Sequence, residues 1–320
     1  MPPSTPAVLV DAVTKSFGPV PALCGVSFTA EAGEVLGVLG PNGAGKTTTV
    51  NILSTLLRPD SGRAVVAGHD VVADAAGVRR AVMLTGQYAA LDDMLTGFEN
   101  LVLFARLLGL RRRAARARAR ELLAEFDLED AADRRVGKYS GGMRRRIDIA
   151  CGLVVPPQVV FLDEPTTGLD PRSRQRVWDL IAGFKSQGVT TLLTTQYLEE
   201  ADLLADRIVV IDRGTVVAEG TPAQLKQRVG ATFCEVVPVR VADVPAVAHV
   251  LGRFAPAAAI EVAADRVTIP APHGAGTLAQ VATAVAAHGV AVSDIALRRP
   301  SLDEVFLALT AARPRFEVVA

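Results

Sequence analysis

The chain has 320 residues, half of them hydrophobic, and its 34 basic residues balance its 34 acidic ones. That length accommodates two unequal domains with sizeable cores, and the charge balance argues against a nucleic-acid surface spread over the whole molecule. No apolar run approaches the roughly 18–20 residues that cross a bilayer, the start MPPSTPAVLVDAV lacks a signal-peptide pattern, and Cys24, Cys151 and Cys234 have neither zinc nor CxxC spacing, which fits a reduced cytosolic compartment.

In chain order, Met1–Pro6 reads as a disordered leader rich in proline and small polar residues. Val8–Val13 and Val26–Ala30 suggest an antiparallel edge sheet. Val35–Leu39, Val159–Leu162, Thr191–Thr195 and Ile208–Ile211 are short, apolar and β-branched, and they alternate with helical patterns up to about Gly220. Such alternation predicts a mostly parallel α/β core. From about Glu99 to Ala132 no strand signal appears, and abundant Ala, Leu and Arg predict a helical insertion. There Arg112, Arg116 and Arg120 share one helix face, expected to be solvated, and Arg144–Arg146 are likewise expected on an exposed helical surface.

After Thr221-Pro222 the composition shifts towards Ala, Val and Pro. The expected order is strand (Phe233–Val241), helix (Val244–Phe254), strands (Ala259–Val262 and Arg266–Ile269), helix (Thr277–His288) and strand (Val290–Leu297). That βαββαβ order matches the ferredoxin-like split unit. A last helix is expected at Leu302–Thr310.

The chemistry concentrates in the first part. Gly40-Pro41-Asn42-Gly43-Ala44-Gly45-Lys46-Thr47 fits GxxxxGK[ST], with an apolar strand before it and the helical run Thr48–Leu57 after it. The motif requires that context, because its glycines let backbone N–H groups close around phosphates at a helix N-terminus. Lys46 would reach the β- and γ-phosphates, Thr47 would ligate Mg²⁺ and Thr48 would add a phosphate contact. A Gly-rich turn with an accidental Lys-Thr is the competing account. Asp163-Glu164 closes the strand Val159–Leu162, and carboxylates at such strand ends point into the ligand crevice of α/β sheets. Asp163 would hold Mg²⁺ and Glu164 would polarise the attacking water as general base.

A P-loop alone leaves kinases, GTPases and helicases open. Tyr139-Ser-Gly-Gly-Met143, at the start of a helix and one helix and strand before Asp163, resembles the LSGGQ signature of ABC ATPases. Ser140 is a natural N-cap, and Gly141 and Gly142 permit close backbone approach to an anion. With the resemblance come further assignments. Phe17 falls where the family stacks an aromatic on adenine, with a core aromatic as the alternative. Gln87 matches the Q-loop glutamine that senses Mg²⁺ and lies near the membrane subunit, and Asp170 matches the D-loop. Met143 departs from the usual signature Gln, and Gln196 stands where most ABC ATPases have His; a Gln can donate to a phosphate oxygen and position water but cannot carry a proton. The resemblance covers about Val8–Gly220. The strings Thr85-Gly-Gln-Tyr-Ala89, Tyr139–Arg146, Thr194-Thr-Gln-Tyr-Leu198 and Leu302–Thr310 are similar to the ATP-binding subunit of daunorubicin/doxorubicin resistance exporters.

That resemblance implies a P-loop NTPase of ABC type over 7–220, with a parallel-sheet core, an antiparallel edge sheet and a helical subdomain at about 90–155. A small α+β ferredoxin-like accessory domain would follow at 221–310, with tails at 1–6 and 311–320. It implies ATP and Mg²⁺ as ligands and a separate integral-membrane permease through which the membrane is met, with no nucleic acid. The expected location is the cytoplasmic face of the membrane. A head-to-tail homodimer is expected, Ser140–Gly142 of one chain completing the other's site, with a paralogous partner as the alternative. A soluble ABC ATPase of translation or DNA repair, and a nucleotide-binding regulator without turnover, are the competing functions.

Overall fold

The computed structural model describes residues 5–86, 91–229, 232–298 and 301–311. The chain forms two compact units, Met1–Pro222 and Ala223–Ala320. In the first, the elements are β1 (Val8–Phe17), β2 (Val20–Ala30), β3 (Val35–Leu39), α1 (Lys46–Leu53), β4 (Ser61–Val66), β5 (His69–Asp70), α2 (Ala75–Ala81) and β6 (Val82–Thr85). There follow α3 (Gly97–Leu107), α4 (Arg112–Glu125), α5 (Gly141–Gly152), β7 (Val159–Asp163), α6 (Pro171–Ser186), β8 (Thr190–Thr195), α7 (Leu198–Leu204), β9 (Arg207–Asp212) and β10 (Thr215–Gly220).

Six strands form one sheet in the order β10-β9-β3-β8-β7-β6, parallel except for the antiparallel β10. Strands β3, β7 and β8 are buried at every position, so their near-continuous apolar runs follow from cover on both faces. A second, antiparallel sheet runs β2-β1-β4-β5. An apolar cluster that includes Val8, Val26, Phe28, Leu36, Val50 and Phe161 draws on both sheets and α1.

The register decides what the sheet brings together. Leu39 of β3 stands opposite Thr195 of β8, and Thr194 stands opposite Asp163 of β7. The chain turns that leave β3 and β7 therefore emerge on either side of the end of β8.

Helices α3 and α4 hold the predicted helical insertion. A capping box starts α3, with Thr96 Oγ1 accepting from Glu99 N and Glu99 Oε2 accepting from Thr96 N. This satisfies two N-terminal groups reciprocally. Leu101, Leu122, Leu123, Phe126 and Ile147 join α3, α4 and α5 in a second core cluster. Arg116 and Arg120 are exposed, and they also stack on the Phe98 ring at 5.0 and 5.6 Å.

The expectation for Arg144–Arg146 is corrected: Arg145 and Arg146 point inward. Arg146 is buried and donates to the carbonyls of Phe126 (2.6 Å) and Asp127 (2.9 Å). A guanidinium there satisfies carbonyls that the end of α4 leaves without intrahelical donors. Arg144 pairs with Asp93 at the surface, and its two successors read as solvated only while the carbonyls they reach are unknown.

The second unit contains α8 (Pro222–Val229), β11 (Phe233–Pro238), α9 (Val244–Leu251), β12 (Glu261–Val262), β13 (Val267–Pro270), α10 (Ala275–Ala287), β14 (Val292–Arg298) and α11 (Leu302–Ala311). Its sheet runs β12-β13-β11-β14, all antiparallel, the ferredoxin-like arrangement that the predicted order requires. Cys234, Val236, Val247, Leu251, Val267, Val281 and Val285 fill its core. The expected strand to Val241 ends at Pro238, which donates no ladder hydrogen bond, and the expected helix to Phe254 ends at Leu251.

Candidate functional site

The turn Gly40–Gly45 leaves β3 and runs straight into α1. Its glycines are required by geometry at two points. A Cβ at Gly40 would overlap the Ile211 carbonyl oxygen, and Gly45 has φ +109 with Ala22 O 2.8 Å from where its Cβ would lie. Only glycine meets both conditions without strain. Lys46 is buried, and its Nζ donates to the carbonyls of Gly40 (2.7 Å) and Pro41 (3.2 Å). Burial pulls the Lys46 ammonium below its ordinary pKa, while the Glu164 and Asp163 carboxylates push it back up.

Opposite that turn, Asp163 ends β7. Thr47 Oγ1 donates to Asp163 Oδ1 at 3.3 Å, and Thr194 Oγ1 of β8 donates to the same oxygen. Glu164 follows with φ +49, a left-handed backbone that non-glycine residues rarely adopt. Its N–H donates to Thr194 O (3.0 Å) and Thr194 Oγ1 (3.2 Å), Thr167 Oγ1 donates to its carboxylate (3.3 Å), and Glu164 Oε1 lies 3.9 Å from Lys46 Nζ. Gln196 is exposed directly beyond β8, so its side chain follows the strand whose end separates the two motifs.

This arrangement fits a nucleoside triphosphate. The glycine turn leaves no side chain at Gly40, Gly43 or Gly45, and it opens a helix whose first N–H groups lack intrahelical acceptors. Among the described residues no group of three His, Cys, Asp or Glu side chains could hold a metal ion. The Thr47 hydroxyl and Asp163 carboxylate lie together at 3.3 Å, and both are hard oxygen donors of the kind that suits Mg²⁺ when phosphates supply further oxygens.

Phe17 is 49% exposed, with the Lys15 ammonium 5.9 Å from its ring centroid. It is therefore not a core aromatic. Ser140 caps α5, its Oγ accepting from Met143 N at 3.3 Å, and Gly141 beside it is exposed. Gly142 is buried against α6, where Ser173 Cβ would lie 2.6 Å from an added Cβ. Ser173 in turn donates to Asp170 through its N–H (3.0 Å) and its hydroxyl (2.7 Å), and these two bonds hold the Asp170 carboxyl below its usual range. Among the described residues, Ser140–Gly142 stand outside the hydrogen-bond network around Lys46, Asp163 and Glu164. Gln87 lies outside the described residues.

Two participants escape sequence reasoning. Thr194 reads only as part of a buried strand, and the pair of hydroxyls that ends the strand after Leu192-Leu193 was the available signal. Arg145 is hidden in a run of arginines. It donates to Gly86 O (2.7 Å) and Pro165 O (2.8 Å), reaches Asp163 O at 3.5 Å, and faces Asp148.

Comparison with known proteins agrees with this geometry. Residues 23–167 match the ABC transporter family model. The chain is 60% identical over 309 residues to the doxorubicin resistance ATP-binding protein DrrA of Mycobacterium tuberculosis, covering 95% of this chain and 93% of that protein. It is 53% identical over 311 residues to the daunorubicin resistance ATP-binding protein DrrA2 of Streptomyces coeruleorubidus, covering 96% of each. Among solved structures, a dimeric ATP-binding cassette in a post-hydrolysis state bound to ADP and Pi matches at TM-score 0.61 and 26% identity, covering 67% of this chain and 98% of that one. The chain belongs to the ABC transporter family, as an ATP-binding subunit of the daunorubicin/doxorubicin resistance group.

Proposed function

We propose that this chain hydrolyses Mg-ATP to drive export of a hydrophobic, anthracycline-like drug through a separate integral-membrane permease, at the cytoplasmic face of the membrane. The observation that carries the reading is the convergence of Lys46, Thr47, Asp163, Glu164 and Thr194 at the ends of β3, β7 and β8. Nucleotide hydrolysis belongs to residues 7–220, with a helical subdomain at about 90–155, and residues 221–310 form an accessory domain.

The backbone of Gly40, Pro41, Asn42, Gly43, Ala44 and Gly45 cradles the phosphates, and Lys46 and Thr48 bind them. Thr47 and Asp163, with Gln87, would hold Mg²⁺, which when bound neutralises phosphate charge and orients the β- and γ-oxygens. Glu164 takes a proton from the attacking water, its position set by Thr194 and its carboxylate facing Lys46. Gln196 donates to a γ-phosphate oxygen or positions that water; unlike His it carries no proton. Phe17 stacks on the adenine. Ser140, Gly141, Gly142 and Asp170 serve a second copy of the chain in a head-to-tail homodimer. Their exposure or position outside the Lys46 network supports that role, and the dimeric relative offers a precedent. Loss of the γ-phosphate opens the dimer, because the closed state binds ATP and ADP unequally.

The test is retention of a fluorescent anthracycline in host cells that keep the permease. Deleting this chain should raise retention, and the unmodified chain should reverse it where Glu164→Gln does not. Unchanged retention together with ATP turnover by the purified chain would remove the drug and keep the motor.

A further inference from the structure

We propose that Arg145 is a positioning residue that ties the orientation of the signature helix α5 to the place of Glu164. The inference rests on the reading of Glu164 as general base. Arg145 is mostly buried, its side chain 11% exposed, yet its guanidinium packs on polar main chain. Nε donates to Pro165 O at 2.8 Å, Nη1 donates to Gly86 O at 2.7 Å and Nη2 reaches Asp163 O at 3.5 Å. The carbonyls of Asp163 and Pro165 bracket Glu164, so one planar cation grips the chain on both sides of the base.

Glu164 needs that grip. Its φ of +49 is unfavourable for a side-chain-bearing residue, and such a conformation persists only where surroundings over-determine it. Thr194 of β8 fixes its N–H, and Arg145 holds the Pro165 carbonyl after it and reaches the Asp163 carbonyl before it. Each element supplies what the other lacks, because Thr194 belongs to the rigid sheet and Arg145 belongs to a helix.

The helix is the one that begins with Ser140–Gly142. Arg145 lies about one turn beyond those residues, and a change in the tilt of α5 carries its guanidinium with it. The Gly86 bond extends the link to the segment leading towards Gln87. Bridging several carbonyls at once suits a guanidinium, which presents its donors in a fixed plane, whereas a Lys ammonium is a single point. Burial pulls the Arg145 guanidinium below its ordinary pKa, and the carboxylates of Asp148, Asp163 and Glu200 oppose that shift.

The test compares steady-state ATP hydrolysis by the purified full-length chain with Arg145→Gln, Arg145→Lys, Glu164→Gln and the double variant Arg145→Gln/Glu164→Gln. Arg145→Gln should lower kcat at least tenfold with KM for Mg-ATP changed less than twofold, and Arg145→Lys should recover only part of the loss. The double variant should match the residual rate of Glu164→Gln, since Arg145 acts through Glu164. A wild-type kcat in Arg145→Gln overturns the proposal, as does the same fold-loss on top of Glu164→Gln. If Arg145→Gln does not fold, Arg145→Lys decides, with at least a threefold loss of kcat expected and a wild-type kcat overturning it. Wild-type turnover by Glu164→Gln identifies the base assignment itself as the fault.

Discussion

Thr194 and Glu164 are joined twice: the Glu164 N–H donates to the carbonyl oxygen of Thr194 at 3.0 Å and to its hydroxyl oxygen at 3.2 Å. The same hydroxyl donates to Asp163 Oδ1. One buried side chain thus sets both acidic residues at the end of β7. Thr194→Val keeps the β-branched shape and deletes the hydroxyl. It should cost about 1–3 kcal/mol of stability, the range for a buried partner left short of a hydrogen bond. It should also lower kcat by roughly tenfold, since the hydroxyl's two hydrogen bonds, to Glu164 and Asp163, are lost. Chemical denaturation and steady-state hydrolysis measure the two effects; an unchanged kcat refutes a positioning role for the hydroxyl.

Gly142 should accept no side chain. An added Cβ would lie 2.6 Å from Ser173 Cβ and overlap Ser173 Oγ, so Gly142→Ala must push α5 from α6. The expected cost is about 1–3 kcal/mol, typical of overpacking. Ser173→Gly in the same chain should recover part of it, because the clashing atoms go while the N–H bond to Asp170 stays. Purely additive losses in the double variant, measured by urea unfolding, would count against this contact.

Phe17 should govern nucleotide affinity and leave the chemical step alone. Its half-exposed ring is available for stacking, an interaction worth about 0.5–1.5 kcal/mol beyond buried area. Phe17→Ala is expected to raise KM for ATP by roughly three- to tenfold with kcat retained, and Phe17→Tyr should resemble the parent chain. Equal KM values for all three proteins place adenine elsewhere.

Glu200 should make stability depend on pH. It is fully buried, with Oε1 accepting from Thr166 Oγ1 and Trp178 Nε1, both at 2.9 Å. Burial raises its pKa above the ordinary 4.5, against the lowering effect of hydrogen bonds from Thr195, Thr166 and Trp178. Because the folded-state value is the higher one, its contribution is fully present below the unfolded value. It is lost as pH rises through the folded value. Glu200→Gln keeps an acceptor and removes the titration, so its Tm should gain on that of the parent chain as pH rises from about 4.5. Parallel Tm profiles of the two proteins across that range would contradict the assignment.

The amino-acid sequence by itself determined the P-loop, the Asp163-Glu164 pair, the capped Ser140 helix and the βαββαβ order of the second unit. Each is a local matter: glycine at a turn whose backbone or neighbours exclude a side chain, a hydroxyl at a helix start, acidic residues ending an apolar strand. Their identity survives without knowledge of what lies across the sheet. Thr194 and Arg145 had no such signature. A threonine in a buried strand looks like packing, and an arginine among arginines looks like surface. Only the strand order β3-β8-β7 and the parallel register put Thr194 beside Asp163. Only the docking of α5 brings Arg145 to a carbonyl 59 positions earlier in the chain, at Gly86. Main-chain carbonyls look alike in any sequence, so which of them a buried side chain meets is decided by the tertiary structure alone.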